Sequence, residues 1–181
     1  MKTIGPQRIV CLTEEPTEVL YALGEQHRIV GISGFTVRPA KARKEKPKVS
    51  AFTSAKIDEI LKLKPDFVIG FSDIQSEIAA ALIKQGVEVW ISNHRSVQGI
   101  LDYIRRLGAL VGVADKANGY ADELEKSLEQ ISLQAGRLKQ RPKVYFEEWD
   151  EPLISGIQWV CELIRIAGGD DILPEHAEKS L

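Results

Sequence analysis

Apolar and polar positions in this chain fall into blocks whose period changes from segment to segment. The run "RIVCL" at 8–12 is apolar and rich in β-branched residues, the pattern of a buried strand. "TEEPTEVLYALG" at 13–24 predicts a helix. Thr13 can cap it, Pro16 is tolerated in a first turn, and Glu14 and Glu15 suit its positive end. Val19, Leu20 and Leu23 form one face, and Gly24 stops it. "RIVGI" at 28–32 is a second strand, and from Ser33 to Phe52 the periodicity lapses into a loop. In "KIDEILKLKPDFVIG" (56–70) a helix capped by Ser54 puts Ile57, Ile60 and Leu61 on one face and Asp58, Glu59 and Lys62 off it. Pro65 ends that helix, and "DFVIG" is a strand without polar alternation, as expected where both faces are covered.

The alternation continues. Ser72 and Gln75 form a capping box ahead of a helix with Ile74, Ile78 and Leu82 inward, closed by Gly86. "VEVWI" is a strand, and "SVQGILDYIRRLGALVG" a helix with Ile100, Ile104 and Leu107 inward. Strands alternating with helices of this length predict βαβ units and a doubly wound parallel sheet. From Asp115 to Gln140, Ala117, Tyr120, Leu124, Leu128, Ile131 and Leu138 keep helical spacing without Pro. At 1.5 Å per residue such a helix would run roughly 39 Å, the length of a strut leaving one lobe for another. Arg141-Pro142 stops it, "KVYFEEW" begins a new strand, and "IQWVCELIRIAGG" predicts a helix with Val160, Leu163, Ile164 and Ala167 inward. The expected fold is α/β: a parallel doubly wound N-lobe at 1–113, a backbone helix at 114–141, and the start of a second α/β lobe at 142–181.

Composition narrows the function classes. The 181 residues are 44% hydrophobic and 28% charged, enough to bury a core, and the net charge of −2 provides no basic footprint for nucleic acid. The densest basic run, "KARKEKPK", holds a Glu and a Pro and reads as a solvated loop. No apolar stretch reaches the roughly 18 residues of a membrane span. "MKTIGPQRIVCL" lacks an apolar leader core and a cleavage site, so the chain as written is expected in the cytoplasm, or in the periplasm or at the cell surface if a leader has been removed. Cys11 and Cys161 read as small buried thiols, and Trp90 and Trp159 as core. His27, His94 and His176 lack the paired spacing of metal ligands, and phosphate-loop, dinucleotide and nucleophile-elbow motifs are missing. Neither a catalytic residue, a metal site nor a cofactor is therefore expected.

The succession "RIVCLTEEPTEVLYALG", "RIVGISGF", "KPKVSAFTSAKIDEILKLKPDFVIG", "GVEVW", the long helix and "PLISGIQWVCELIRIAGGDDIL" resembles the class III, helical-backbone solute-binding proteins of ABC importers, of the cobalamin and iron-siderophore type. The resemblance implies two α/β lobes joined by one rigid helix, with a ligand in the cleft between them. The 115–140 helix, without interior Pro and rich in strong helix formers, is expected to allow only small lobe motions on binding. The resemblance also implies a helix-strand unit like 56–70 in each lobe. That unit occurs once here, so the second lobe is expected to be incomplete.

The implied ligand is a bulky metal chelate: a corrinoid such as cobalamin first, then an iron-siderophore or haem. Such ligands need flat apolar walls and a few orienting polar groups. Phe35, Phe52 and Trp149 are the candidate walls, Arg38 a candidate partner for an anionic group, and Glu14 and Glu15 cleft-edge carboxylates; ordinary packing or solvation is the competing reading for each. Asp58 and Glu59 occupy the helix on which the family carries its permease-contacting acid, though acids also suit any helix N-terminus. The implied partners are a small-molecule chelate and an ABC permease. Two other functions fit the pattern: a doubly wound enzyme using Glu14, Glu15 and Glu147 as acid-base groups, and an intracellular regulatory or scaffold module that has lost its ligand.

Overall fold

A computed structural model describes residues 5–174; His176 and the end of the 142–181 segment lie outside them. The continuous apolar runs become β1 (Ile9–Cys11), β2 (Ile29–Ser33), β4 (Phe67–Phe71) and β5 (Val89–Ser92), and a further strand, β3 (Lys48–Ser50), joins them. All five are parallel, in the order β3-β2-β1-β4-β5. β1 and β4 pair in simple register, Ile9 to Phe67, Val10 to Val68 and Cys11 to Ile69. The chain leaves β1 toward β2 and returns from β3 to β4, so the winding reverses between β1 and β4. This is the doubly wound sheet that the alternation predicts.

α1 (Glu14–Ala22), α2 (Ala40–Glu45), α3 (Ile57–Lys62) and α4 (Ser76–Lys84) connect these strands. Val10, Leu12, Val49, Ile60, Val68, Ile78 and Leu82 form a common core. Each fully buried aliphatic side chain contributes about 1.5–3 kcal/mol, which is why strands without polar alternation are stable only here. Arg28 is buried and clasps the unit: its Nε donates to Glu25 at 2.6 Å, Nη1 to the Pro6 carbonyl at 2.7 Å and Nη2 to the Val111 carbonyl at 3.0 Å. A guanidinium survives burial only with its donors matched in this way.

Two helices follow, α5 (Val97–Leu110) and α6 (Ala114–Ala135). The chain divides into two compact units, one of residues 1–93 with 104–118, the other of 94–103 with 119–181. In the second, β6 (Lys143–Val144) pairs in parallel with β9 (Asp170–Asp171), and β7 (Glu147–Trp149) forms a hairpin with β8 (Ile154–Ser155). α7 (Gln158–Ile166) lies between β8 and β9 in the chain and carries Glu162, which accepts from the Val97 amide at 2.6 Å and so caps α5. Arg141 pairs with Asp170 at 2.7 Å and donates to the Gly169 carbonyl at 2.7 Å, closing β6 onto β9.

Several expectations are corrected. The segment Ser33–Phe52 is not all loop: it holds α2 and β3. α2 is six residues with one buried position, Ala42, and β3 is three residues beginning on a lysine, too short to show a period. Ser54 does not cap α3; the N-cap is Lys56, while Ser54 sits in a turn whose carbonyl accepts from Ala51 N at 2.7 Å. Thr13 holds the N-cap position of α1 without a capping bond. The Ser72–Gln75 capping box is absent, because Asp73–Gln75 form a 3₁₀ turn first and Gln75 is bonded elsewhere. α6 ends at Ala135, short of Gln140, where Gly136 follows and the apolar side chains lose their cover: Ile131 is 45% and Leu138 51% exposed. "KVYFEEW" breaks into β6 and β7, which pair with different partners. α7 buries Cys161, whereas Leu163 is 37% exposed and Ala167 exposed, so its inward face differs from the expected one. Ile74 is also exposed, lying before α4 rather than on it. Trp90 and Trp159 are half-buried. Both cysteines are free and buried, and burial pushes Cys11 up to about 12.

Candidate functional site

In an open parallel sheet the loops leaving the carboxyl ends of the strands, at the point where winding reverses, form the usual ligand edge. Here that point is the gap between the connections after β1 and β4. Five candidate residues occupy this edge of the first unit. Glu14 and Glu15 open α1 directly after β1, Phe35 and Arg38 lie in the loop after β2, and Phe52 in the loop after β3. Phe35 is 56% and Phe52 39% exposed, so both phenyl rings are open at this edge.

Charge at this edge is mainly negative. Burial pushes the Glu15 carboxyl above the ordinary carboxylate range. Arg38 Nε lies 3.4 Å from the Glu18 carboxylate with both side chains open to solvent, a pair worth about 1 kcal/mol or less. Arg43 is exposed but bonds back to the chain, donating to the carbonyls of Gly34 at 2.6 Å and Thr36 at 3.2 Å, so it shapes the loop after β2.

The loops are stitched to the sheet. Ser50 Oγ donates to the Leu12 carbonyl at 3.2 Å, and the Ser72 amide to the Ser92 carbonyl at 2.8 Å. Ser72, at the end of β4, has φ +64° and ψ 167°, a conformation that costs a non-glycine residue about 1–3 kcal/mol and concentrates at functional edges. Gln75 is fully buried: its Oε1 accepts from the Phe71 amide at 3.0 Å and its Nε2 donates to the Phe52 carbonyl at 2.9 Å. Gly70 makes room for it, since a Cβ there would stand 2.5 Å from Gln75 Oε1. Sequence reasoning missed Ser72 and Gln75 as parts of this edge. The only signal was their position after a buried strand, and that was absorbed by the capping-box pattern.

The remaining candidates lie elsewhere. Asp58 and Glu59 occupy the exposed first turn of α3, beside a shallow recess of about 310 Å³ lined by Lys56, Ile57, Asp58 and Glu59. Lys62 bonds Glu59 at 2.7 Å, which lowers the Glu59 carboxyl. Trp149 belongs to the second unit; it ends β7, is 60% exposed, and its indole donates to the Glu151 carbonyl at 3.0 Å. Glu147 is on the same strand and accepts from the Tyr145 hydroxyl, which raises that phenol. Among the described residues no group of three or more His, Cys, Asp and Glu could hold a metal ion, and no helix is long and apolar enough to cross a membrane.

Comparison with known proteins fits this geometry. The profile of the family described as periplasmic binding protein matches residues 9–181. The vitamin B12-binding protein of Vibrio campbellii is 25% identical over 172 residues, covering 93% of this chain and 62% of the relative. That of Vibrio cholerae serotype O1 is 26% identical over 178 residues, covering 96% and 63%. The chain therefore spans less than two thirds of the length of these relatives. Among solved structures, the periplasmic heme-binding protein RhuT from Roseiflexus sp. RS-1 in its apo form superposes with a TM-score of 0.83 at 24% identity, covering 94% of this chain and 67% of that one. The periplasmic vitamin B12 binding protein BtuF of Vibrio cholerae does so with a TM-score of 0.78 at 23% identity, covering 93% and 67%. These structures share the fold, and all four proteins are named for binding rather than catalysis. Since the profile runs from β1 to the last residue, the chain belongs to the periplasmic binding protein family.

Proposed function

We propose that this chain is the solute-binding component of an ABC importer and seats a bulky metal chelate, a corrinoid in the first place, on the carboxyl edge of its five-stranded sheet. The observation that carries this is the pair of exposed phenyl rings, Phe35 and Phe52, on the same edge as Glu14 and Glu15. Large macrocycles are held by apolar walls with few polar contacts. Carboxylates accept hydrogen bonds from the amide groups that rim a corrin, and they disfavour chelates that carry carboxylates of their own. That ranks a corrinoid above haem and above siderophores that carry carboxylates, and the names of the Vibrio relatives favour it over uncharged siderophores. The names of the Vibrio relatives and of the heme-binding structure support the ligand class.

Trp149 offers a further exposed ring for the same ligand class, and Arg38 a cation for any anionic group on it. Asp58 and Glu59, exposed on α3, are the proposed contacts to arginines of the permease. The loaded protein then works on the side of the membrane from which the importer draws its solute. A thermal-shift series with cyanocobalamin, a ferric hydroxamate and haemin tests the reading. A ligand present at about 100 times its dissociation constant stabilises by about 2.7 kcal/mol. Cyanocobalamin is expected to raise the melting temperature, and Phe52→Ala to remove most of that rise. If none of the three chelates moves the curve, the proposal fails.

A further inference from the structure

We infer that Gln75 is a positioning residue that latches the Phe52 loop to the end of β4 and so sets the apolar wall of the ligand edge; this rests on the function proposed above. Three observations converge. The Gln75 side chain has no exposure, yet both ends of its amide are used: one holds the Phe71 amide and the other the Phe52 carbonyl, 23 positions away in the chain. Gly70 leaves the space that this amide fills. Phe52 itself is exposed, on a short loop closed by the Ala51-to-Ser54 bond and the Ser50–Ala55 bridge.

A glutamine is suited to this task because its head is at once donor and acceptor. Methionine has the same reach and neither bond. Glutamate keeps the acceptor for Phe71 and loses the donor for Phe52 when ionised; when protonated it donates again. Holding Phe52 in place before the ligand arrives removes an ordering cost from binding. A glutamine that merely filled core space would affect stability without a selective effect on Phe52.

The test measures cyanocobalamin affinity and amide hydrogen exchange on the full chain. Gln75→Met is expected to weaken binding about tenfold and to speed exchange in the peptide covering 50–55 and at Phe71, with β5 and α1 unchanged. Gln75→Glu is expected to bind more weakly, relative to wild type at the same pH, as pH rises and its carboxyl ionises. On a Phe52→Ala background, Gln75→Met should have no further effect on affinity, since the ring it positions is gone. Additive losses in that cycle, or exchange that speeds everywhere or nowhere, would overturn the inference. If the wild-type chain binds none of the chelates, the proposed function fails. The exchange experiment still decides the latch: acceleration confined to 50–55 and Phe71 upholds it and unchanged exchange removes it.

Discussion

Glu15 carries two opposed effects in one side chain. The start of α1 favours a negative charge, as the partial positive charge of a helix N-terminus does anywhere. Burial disfavours it, and burial wins, because the carboxyl is raised. The consequence for stability has a definite sign. Below the ordinary carboxylate range the group is protonated both folded and unfolded and adds no penalty. As pH rises through that range toward the raised folded value, the unfolded chain loses its proton first, so unfolding is favoured. Above the folded value the penalty is fully present. Glu15→Gln cannot ionise and escapes it. Urea midpoints of wild type and Glu15→Gln are expected to differ little at acid pH, with the variant gaining over wild type as pH rises to neutrality. A gap that narrows as pH rises would show that the helix N-terminus, not burial, dominates at Glu15.

The elements that could be read from the sequence are those whose burial is uniform. β1 and β4 are apolar and almost wholly buried, and β2 and β5 are apolar up to a terminal serine, so their runs could be found without turn chemistry. The edge strand β3 and the helix α2 were illegible, being held by single buried residues amid charges. Capping failed as a guide at three helices: Gln75 gives up the local bond for two tertiary partners, whereas Thr13 keeps the N-cap position of α1 without a capping bond and α3 starts after Lys56 rather than Ser54. The same limit governs the site. Phe35, Phe52 and the two glutamates were visible as loop or helix-start residues, whereas the bonds that hold their loops join positions far apart in the chain. α6 tests how far local signals suffice. Its 22 residues include Ala, Leu, Glu, Lys and Gln throughout, all strong helix formers. Leu128, half-buried near its middle, should tolerate Ala with a modest loss. Leu128→Pro should cost about 3 kcal/mol more, through one lost backbone bond and a ring clash. Denaturation curves of the two variants check this; equal losses would mean that α6 contributes nothing as a continuous helix.

At the scale of the whole chain, burial is unevenly shared. The largest fully buried side chains, among them Ile9, Leu12, Leu20, Ile32, Ile69, Leu82 and Leu107, all belong to the first unit among the described residues. The second unit buries Leu101, Tyr103, Ala121, Ile157 and Cys161, and exposes Trp149, Leu153, Ile154 and Ile172. Its strands are two or three residues long, in two separate pairs. Buried apolar area is the main term opposing chain entropy, so local stability should follow this division. The second unit is therefore expected to open at a lower free energy than the first. Native-state hydrogen exchange over increasing denaturant should show amides of β6 to β9 and α7 exchanging through a sub-global opening. Amides of β1 and β4 should exchange only with global unfolding. Mild proteolysis should cut within 119–174 before it cuts the five-stranded sheet. A single cooperative opening for both sets of amides would contradict the expectation, and would mean that the bonds of Arg141 and Glu162 tie the second unit together more firmly than its burial indicates. Ligand provides the final discrimination. Cyanocobalamin held by Phe35 and Phe52 should raise protection in the first unit and leave the second unit's opening where it was, whereas cyanocobalamin held by Trp149 should raise protection in the second.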